Sequence, residues 1–235
     1  MTPFSGEMIG TALLVFLGQT VVSNVVLAKT KGHNSGWIVI SFGWAMAVFV
    51  GVFVSASASK SHLNPAVTIA FAVLKKIPLS LVPTYLAAQF LGAMIGSTVA
   101  WLCYRGHFGP TQDSDLKLAV FCTAPAIRNY PDNLITEAIA TFVLVLGALF
   151  IATPSNSLGA LDGLPVALLV LAIGLGPGGP TGYAINPARD LGPRIMHALL
   201  PIPGKRNSDW SYAWVPVAGP ILGSLLAALV YQLLG

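Results

Sequence analysis

Charge is what this sequence has least of. Of its 235 residues only 12 are Lys or Arg and 8 are Asp or Glu, so 9% of the chain is charged, against about 25% in an ordinary soluble domain. That scarcity excludes a disordered chain and argues against a soluble enzyme. No Lys/Arg run exceeds two residues (Lys75-Lys76, Lys205-Arg206), so phosphate-backbone binding is rejected and no nucleic-acid partner is expected. Cysteine is nearly missing. Cys103 and Cys122 supply neither a disulfide framework nor a metal-ligand spacing, and Cys103, inside an apolar run, reads as a small buried hydrophobe. A paired acid and base within one apolar segment is also lacking, so catalysis, metal and cofactor are not expected. What is abundant is apolar surface, at 55% of residues. The chain reads as a membrane protein.

Six charge-free runs set the number of crossings: 8–28, 34–59, 77–104, 138–161, 163–188 and 210–235. A spanning helix needs about 20 apolar residues, so these are six candidate spans. The first is not expected to be a cleaved signal peptide, because no positive residue precedes it and its apolar core is too long. The six runs leave no room for a soluble domain, and residues 1–235 are expected to form one transmembrane unit.

The halves of the chain are related. Glu7, Ile9, Thr11, Leu14 and Val15 match Glu137, Ile139, Thr141, Leu144 and Val145 at a shift of 130. Ala87, Leu91 and Gly92 match Ala218, Leu222 and Gly223 at 131. Asn64-Pro65-Ala66 returns as Asn186-Pro187-Ala188. These matches divide the chain into repeat one at 1–105, a connecting loop at 106–132 and repeat two at 133–235. Three spans per repeat is an odd number, so the second repeat must enter the membrane upside down, which brings equivalent features to the midplane from opposite sides.

Each repeat also holds an apolar stretch too short to cross. Residues 64–74 end at Lys75-Lys76, and residues 186–200 end at Pro201. Both open with Asn-Pro, a strong helix start with Asn as N-cap and Pro in the first turn. They are expected to be half-helices whose N-termini point into the membrane. Before the second, residues 174–183 carry five glycines and two prolines and cannot be helical. Irregular backbone at that depth survives only where it lines a cavity or is buried in protein.

With Ser61-His62-Leu63-Asn64-Pro65-Ala66-Val67-Thr68 and Gly182-Tyr183-Ala184-Ile185-Asn186-Pro187-Ala188-Arg189-Asp190, the chain resembles the major intrinsic protein family, the aquaporins and aquaglyceroporins. The resemblance runs from Glu7 to the last residue. It implies an all-α aquaporin-like fold of six transmembrane helices and two re-entrant half-helices in an inverted 3+3 repeat. It further implies a homotetramer in a cell membrane, each subunit with its own pore and cytoplasmic termini. Charge argues the other way on orientation: Lys60, Lys75 and Lys76 would face the inside and the other nine Lys and Arg the outside, the reverse of the usual bias. The resemblance is followed.

The chemistry expected at the centre does not need the name. Two half-helix N-termini at one point place about +0.5 charge each there, repelling cations. Asn64 and Asn186 can cap with their oxygens and offer amide hydrogens to a passing oxygen, so a water accepting from both cannot relay a proton. Arg189, one turn further on, faces a cavity or a partner. It supplies a fork of donors, with a pair to Asp190 as the alternative; Asp190 itself reads as a brace for loop backbone.

By resemblance the narrowest point is formed by Trp44, Gly174, Tyr183 and Arg189, at −20 from Asn64 and at −12, −3 and +3 from Asn186. Glycine at 174 leaves that wall without a side chain, so a wider opening is expected. Trp44 and Tyr183 then oppose Arg189, matching a polyol with one carbon-hydrogen face and one hydroxyl face. The added hydroxyl of Tyr183 either narrows the opening or adds a contact. The same resemblance implies that Glu7 and Glu137 hold loop amides so that carbonyls of Lys60, Ser61, His62, Gly182, Tyr183 and Ala184 face the pore, with headgroup-level charges at helix ends as the alternative reading of the two carboxylates. His62 reads as a pore-side histidine, and Lys60 puts a positive charge near the inner mouth. The expected function is passive conduction of glycerol, other small uncharged solutes and water, with ions and protons excluded. The alternatives are a water-dominated pore and a coupled secondary transporter. Against the transporter, no carboxylate appears mid-span to bind a coupling proton or sodium.

Overall fold

The computed structural model describes residues 1–151 and 159–234; the part of the fourth run at 152–158, and Gly235 of the sixth, lie outside the described residues. Among the described residues the structure is all helical. In chain order it comprises α1 (Pro3–Val26), α2 (Trp37–Ser59), α3 (Pro65–Val73), α4 (Val82–Phe108) and the short α5 (Ser114–Ala119), followed by α6 (Tyr130–Ile151), α7 (Leu164–Leu175), α8 (Pro187–Leu199) and α9 (Val215–Leu234). Local chemistry sets several ends. Thr2 and Ser5 form a capping box with Pro3 in the first turn of α1, and Lys60 stops α2 in a left-handed conformation at φ 63°.

Five segments are long and apolar enough to cross a membrane: Pro3–Val26, Trp37–Ser59, Leu79–Phe108, Tyr130–Ile151 and Val215–Leu234. The fifth charge-free run differs. Its helix, with the turn before it, covers only Leu161–Leu175, because the glycine- and proline-rich stretch takes the rest of the run as irregular backbone. At 1.5 Å per residue such a helix falls short of the roughly 30 Å hydrocarbon layer.

Packing repeats between the halves. α1 lies against α2 and α4 as α6 lies against α7 and α9, and α2 meets α7 where the halves join. Each half-helix rests on the last long helix of the other half, α3 on α9 and α8 on α4. The α1–α4 and α6–α9 crossings bring backbones together: a Cβ added to Gly92, Gly96 or Gly223 would collide with the carbonyl oxygen of Met8, Ala12 or Ala138. Small residues at such crossings allow the dispersion contacts that hold helices together in lipid.

The exposure pattern is inverted relative to a soluble domain. Ile38, Phe42, Ile95, Leu102, Ile139 and Leu226 are exposed, while Thr11, Gln19, Gln89, Glu137 and Thr141 are buried. The apolar surface faces lipid and the polar groups face inward, as a multi-pass membrane protein requires. Cys103 is exposed and not buried as expected; it sits on the outward face of α4, where lipid takes the place of a protein core.

Candidate functional site

The two half-helices start with the same geometry. Asn64 has φ −156° and ψ 121°, and Asn186 has φ −154° and ψ 107°. Each caps its own helix through Oδ1, which accepts from Ala66 N at 2.9 Å and from Ala188 N at 3.0 Å and Arg189 N at 3.2 Å. The amides then cross. Asn64 Nδ2 donates to the carbonyl of Ile185 at 2.8 Å, and Asn186 Nδ2 donates to the carbonyl of Leu63 at 2.9 Å. Sequence reasoning left both amide hydrogens free; one of each pair is engaged by the opposite half, and the second remains.

Glu7 and Glu137 hold the loops that lead into these caps. Glu7 accepts from His62 N at 2.9 Å and Leu63 N at 2.7 Å, and Glu137 accepts from Ala184 N and Ile185 N, both at 2.9 Å. The loop backbones match as well: Lys60, Ser61 and Leu63 have positive φ, as do Gly182, Tyr183 and Ile185. For non-glycine residues each such conformation costs roughly 1–2 kcal/mol. Two amides on one buried carboxylate offset that strain, since a carboxylate in apolar surroundings demands donors. The halves differ in what surrounds the carboxylate. Glu7 also receives Ser59 Oγ at 2.6 Å and Gln89 Nε2 at 2.7 Å, and Gln89 Nε2 reaches Thr68 Oγ1 at 2.9 Å. His62 Nδ1 lies 3.1 Å from the same Thr68 hydroxyl.

A cavity of about 660 Å³ runs past this waist, lined among others by Lys60, Ser61, His62, Asn64, Asn186, Ala184, Tyr183, Trp44 and Arg189. Lys60, Lys76 and Asp162 sit in the lining with the apolar side chains of Val52, Phe53, Val67 and Phe71. Gly174, expected on the pore wall, lies behind the Tyr183 ring: a Cβ on it would sit 3.0 Å from Tyr183 Cζ, while a Cβ on Gly182 would point to the Thr123 side chain. The missing side chain at 174 therefore makes room for Tyr183, not for a wider wall. The phenolic oxygen is buried, so it neither narrows the cavity nor offers a contact there.

Trp44 and Tyr183 are each 3% exposed and Arg189 8%. The Arg189 guanidinium lies over the Trp44 ring with Cζ 3.9 Å from the centroid, a stacked cation–π arrangement. Among the described residues the guanidinium has no protein acceptor, and its donors are left to the cavity. A fork of N–H groups thus faces the same space as an indole and a phenol ring.

A profile of the family described as "Major intrinsic protein" matches residues 2–231. The chain belongs to that family. A "Probable glycerol uptake facilitator protein" of Thermotoga maritima is 54% identical over 232 residues, covering 99% of each chain. A "D/L-lactic acid transporter" of Lactiplantibacillus plantarum is 40% identical over 226 residues, covering 94% of this chain and 93% of that one. Among solved structures, the aquaglyceroporin from Plasmodium falciparum superposes with a TM-score of 0.85 at 34% identity, covering 97% of this chain and 94% of that one.

In this major intrinsic protein, Asp190 does not pair with Arg189. Its Oδ1 accepts from Arg194 Nε at 2.9 Å and Nη2 at 2.8 Å, and its Oδ2 accepts from Thr123 N and Thr123 Oγ1, both at 2.7 Å. Both partners of the ion pair are fully buried. Arg194 goes on to the carbonyls of Thr123, Ser208 and Asp209, so one side chain ties α8 to two loops. Sequence reasoning passed over Arg194; its only signal was a second Arg, four residues after Asp190, in a short helix that is otherwise uncharged.

The network ends in a loop outside the spanning helices, where Arg128 pairs with Asp209 at 3.1 and 2.5 Å. Burial alone would raise the Asp209 pKa; the Arg128 guanidinium, with Ser211 and Arg194, outweighs it and holds the carboxyl below its usual range. A depressed carboxyl contributes stability above its unfolded pKa, about 3.9, and loses it as pH falls through the lower folded value. Unfolding midpoints in detergent are therefore expected to hold between about pH 7 and 5 and to fall below about pH 4. Asp209→Asn is expected to remove part of that fall, and identical acid profiles for variant and parent would count against the pair.

Proposed function

We propose that this protein is a passive, bidirectional channel for glycerol and similar small uncharged solutes, with water also passing and ions and protons refused. The reading includes a homotetramer with one pore per subunit and termini in the cytoplasm. The observation that carries it is the pairing of Arg189 with the Trp44 and Tyr183 rings on one cavity, just beyond the two asparagine caps. A polyol crossing there meets hydroxyl-binding donors on one side and apolar rings on the other. Beyond them, a free N–H on each of Asn64 and Asn186 meets the solute oxygen. Two helix N-termini converge at that depth, and their positive ends set a barrier to any cation. Carbonyls of the two re-entrant loops serve as the remaining acceptors along the path.

Conduction without coupling is favoured because Glu7 and Glu137, the carboxylates at the waist, are taken up by loop amides and have no role left as ion ligands. The name of the Thermotoga maritima relative supports glycerol as the solute; that of the Lactiplantibacillus plantarum relative adds undissociated lactic acid to the range to be tested.

Purified protein in liposomes is expected to accelerate glycerol-driven swelling without saturation, with a weak temperature dependence and no response to an imposed pH gradient. Saturable flux that follows the proton gradient would replace this reading with a coupled transporter. Water flux with no glycerol flux would replace it with a water-dominated pore.

A further inference from the structure

The Tyr183 ring is held in a built recess, and the recess has a polar floor. Gly174 forms one side, with its would-be Cβ 3.0 Å from Tyr183 Cζ, and Gly178 closes another. Trp37 covers the ring edge-on, its centroid 5.7 Å away at 84°, and anchors to the Gly174 carbonyl through Nε1 at 2.8 Å. Ser41 lies in α2 one turn before Trp44, on the same helix face. Its Oγ is 3.1 Å from the same would-be Cβ. The Ser41 and Tyr183 hydroxyls are both fully buried, and neither has a hydrogen-bond partner among the described residues. An unpaired buried hydroxyl costs about 1–3 kcal/mol, so two of them facing one glycine are satisfied most cheaply by each other.

We infer that Ser41 is a specificity-determining residue: its hydroxyl latches that of Tyr183 into the Gly174 recess and keeps the phenol withdrawn from the lumen, which sets the aperture opposite Arg189. This rests on the proposed constriction at Trp44, Tyr183 and Arg189. Ser41 itself does not line the cavity and acts only through Tyr183. Without the latch, the phenolic hydroxyl has one polar space left to turn to, the lumen, and there it obstructs a three-carbon solute more than water.

The test is a double-mutant cycle read as glycerol and water permeability in liposomes, at matched amounts of reconstituted protein. Ser41→Ala is expected to lower glycerol permeability about fivefold, the worth of one net hydrogen bond, with a smaller loss for water. Adding Tyr183→Phe, which removes the stranded hydroxyl, is expected to recover most of the glycerol flux. That recovery also shows that Ser41→Ala folds and assembles. Unchanged glycerol flux in Ser41→Ala, or a double variant as impaired as the single one, overturns the latch. Tyr183→Ala separates this failure from that of the constriction. If it admits a larger polyol such as xylitol while Ser41→Ala is silent, the constriction stands and the latch falls. If it changes no solute preference, the constriction lies elsewhere and both fall.

Discussion

Asp190→Ala is expected to destabilise the protein by about 3–5 kcal/mol, the usual cost of stranding one partner of a buried ion pair. Three changes coincide. Arg194, with no exposure, keeps its charge because a guanidinium does not deprotonate in proteins. The Thr123 amide and hydroxyl lose their acceptor. The loop they anchor then loosens from α8, the helix that presents Asn186 and Arg189. The loss is expected as a lower unfolding midpoint in detergent and as reduced solute flux. Asp190→Ala combined with Arg194→Met is expected to recover a large part of the stability, because replacing both partners removes the stranded charge. A loss below about 1 kcal/mol for the single variant would mean that water or lipid headgroups reach Arg194 and that the burial does not hold in the membrane.

Gly174→His is the variant expected to act most strongly on transport. A Cβ alone would press on Tyr183 at 3.0 Å and on Ser41 at 3.1 Å, so an imidazole cannot share the recess. Either the phenol swings into the lumen or the imidazole does, and both outcomes narrow the path beside Arg189. Glycerol permeability is expected to fall on the order of a hundredfold, reading about 2–3 kcal/mol of overpacking as added barrier, with a much smaller loss for water. Gly174→Ala asks the ring to yield only a few tenths of an ångström and is expected to cost glycerol a fewfold. If water and glycerol decline together in Gly174→His, discrimination does not occur at this ring.

The two half-helices were legible because their signal is local. An Asn followed by Pro caps and starts a helix wherever it stands, and α3 and α8 begin and end within a residue of what residues 64–74 and 186–200 suggested. The inverted arrangement was legible from Glu7 and Glu137 and the doubled Asn-Pro-Ala. The extent of α7 was less so, because a charge count does not distinguish a helix from uncharged irregular backbone. Other features depend on which distant groups meet. Thr123 reaches Asp190 across 67 positions, and no spacing rule relates them. The amides of Asn64 and Asn186 were assigned to solute alone because the sequence does not show that each faces the other's loop carbonyl. Gly174 was taken for open space by the same route: an absent side chain says nothing about which neighbour moves in.

The crossed bonds at the waist also bear on how the chain is made. Asn64 satisfies Ile185, and Asn186 satisfies Leu63, so each re-entrant loop, although its amides are held by the carboxylate of its own half, completes its hydrogen bonds only against the other half. The first loop must wait, unfinished within the bilayer, until more than a hundred further residues have been synthesised and inserted. Truncated chains ending before Ile185 would then keep their first loop open to proteolysis, and permeation and loop closure should arise together as a late step of biogenesis.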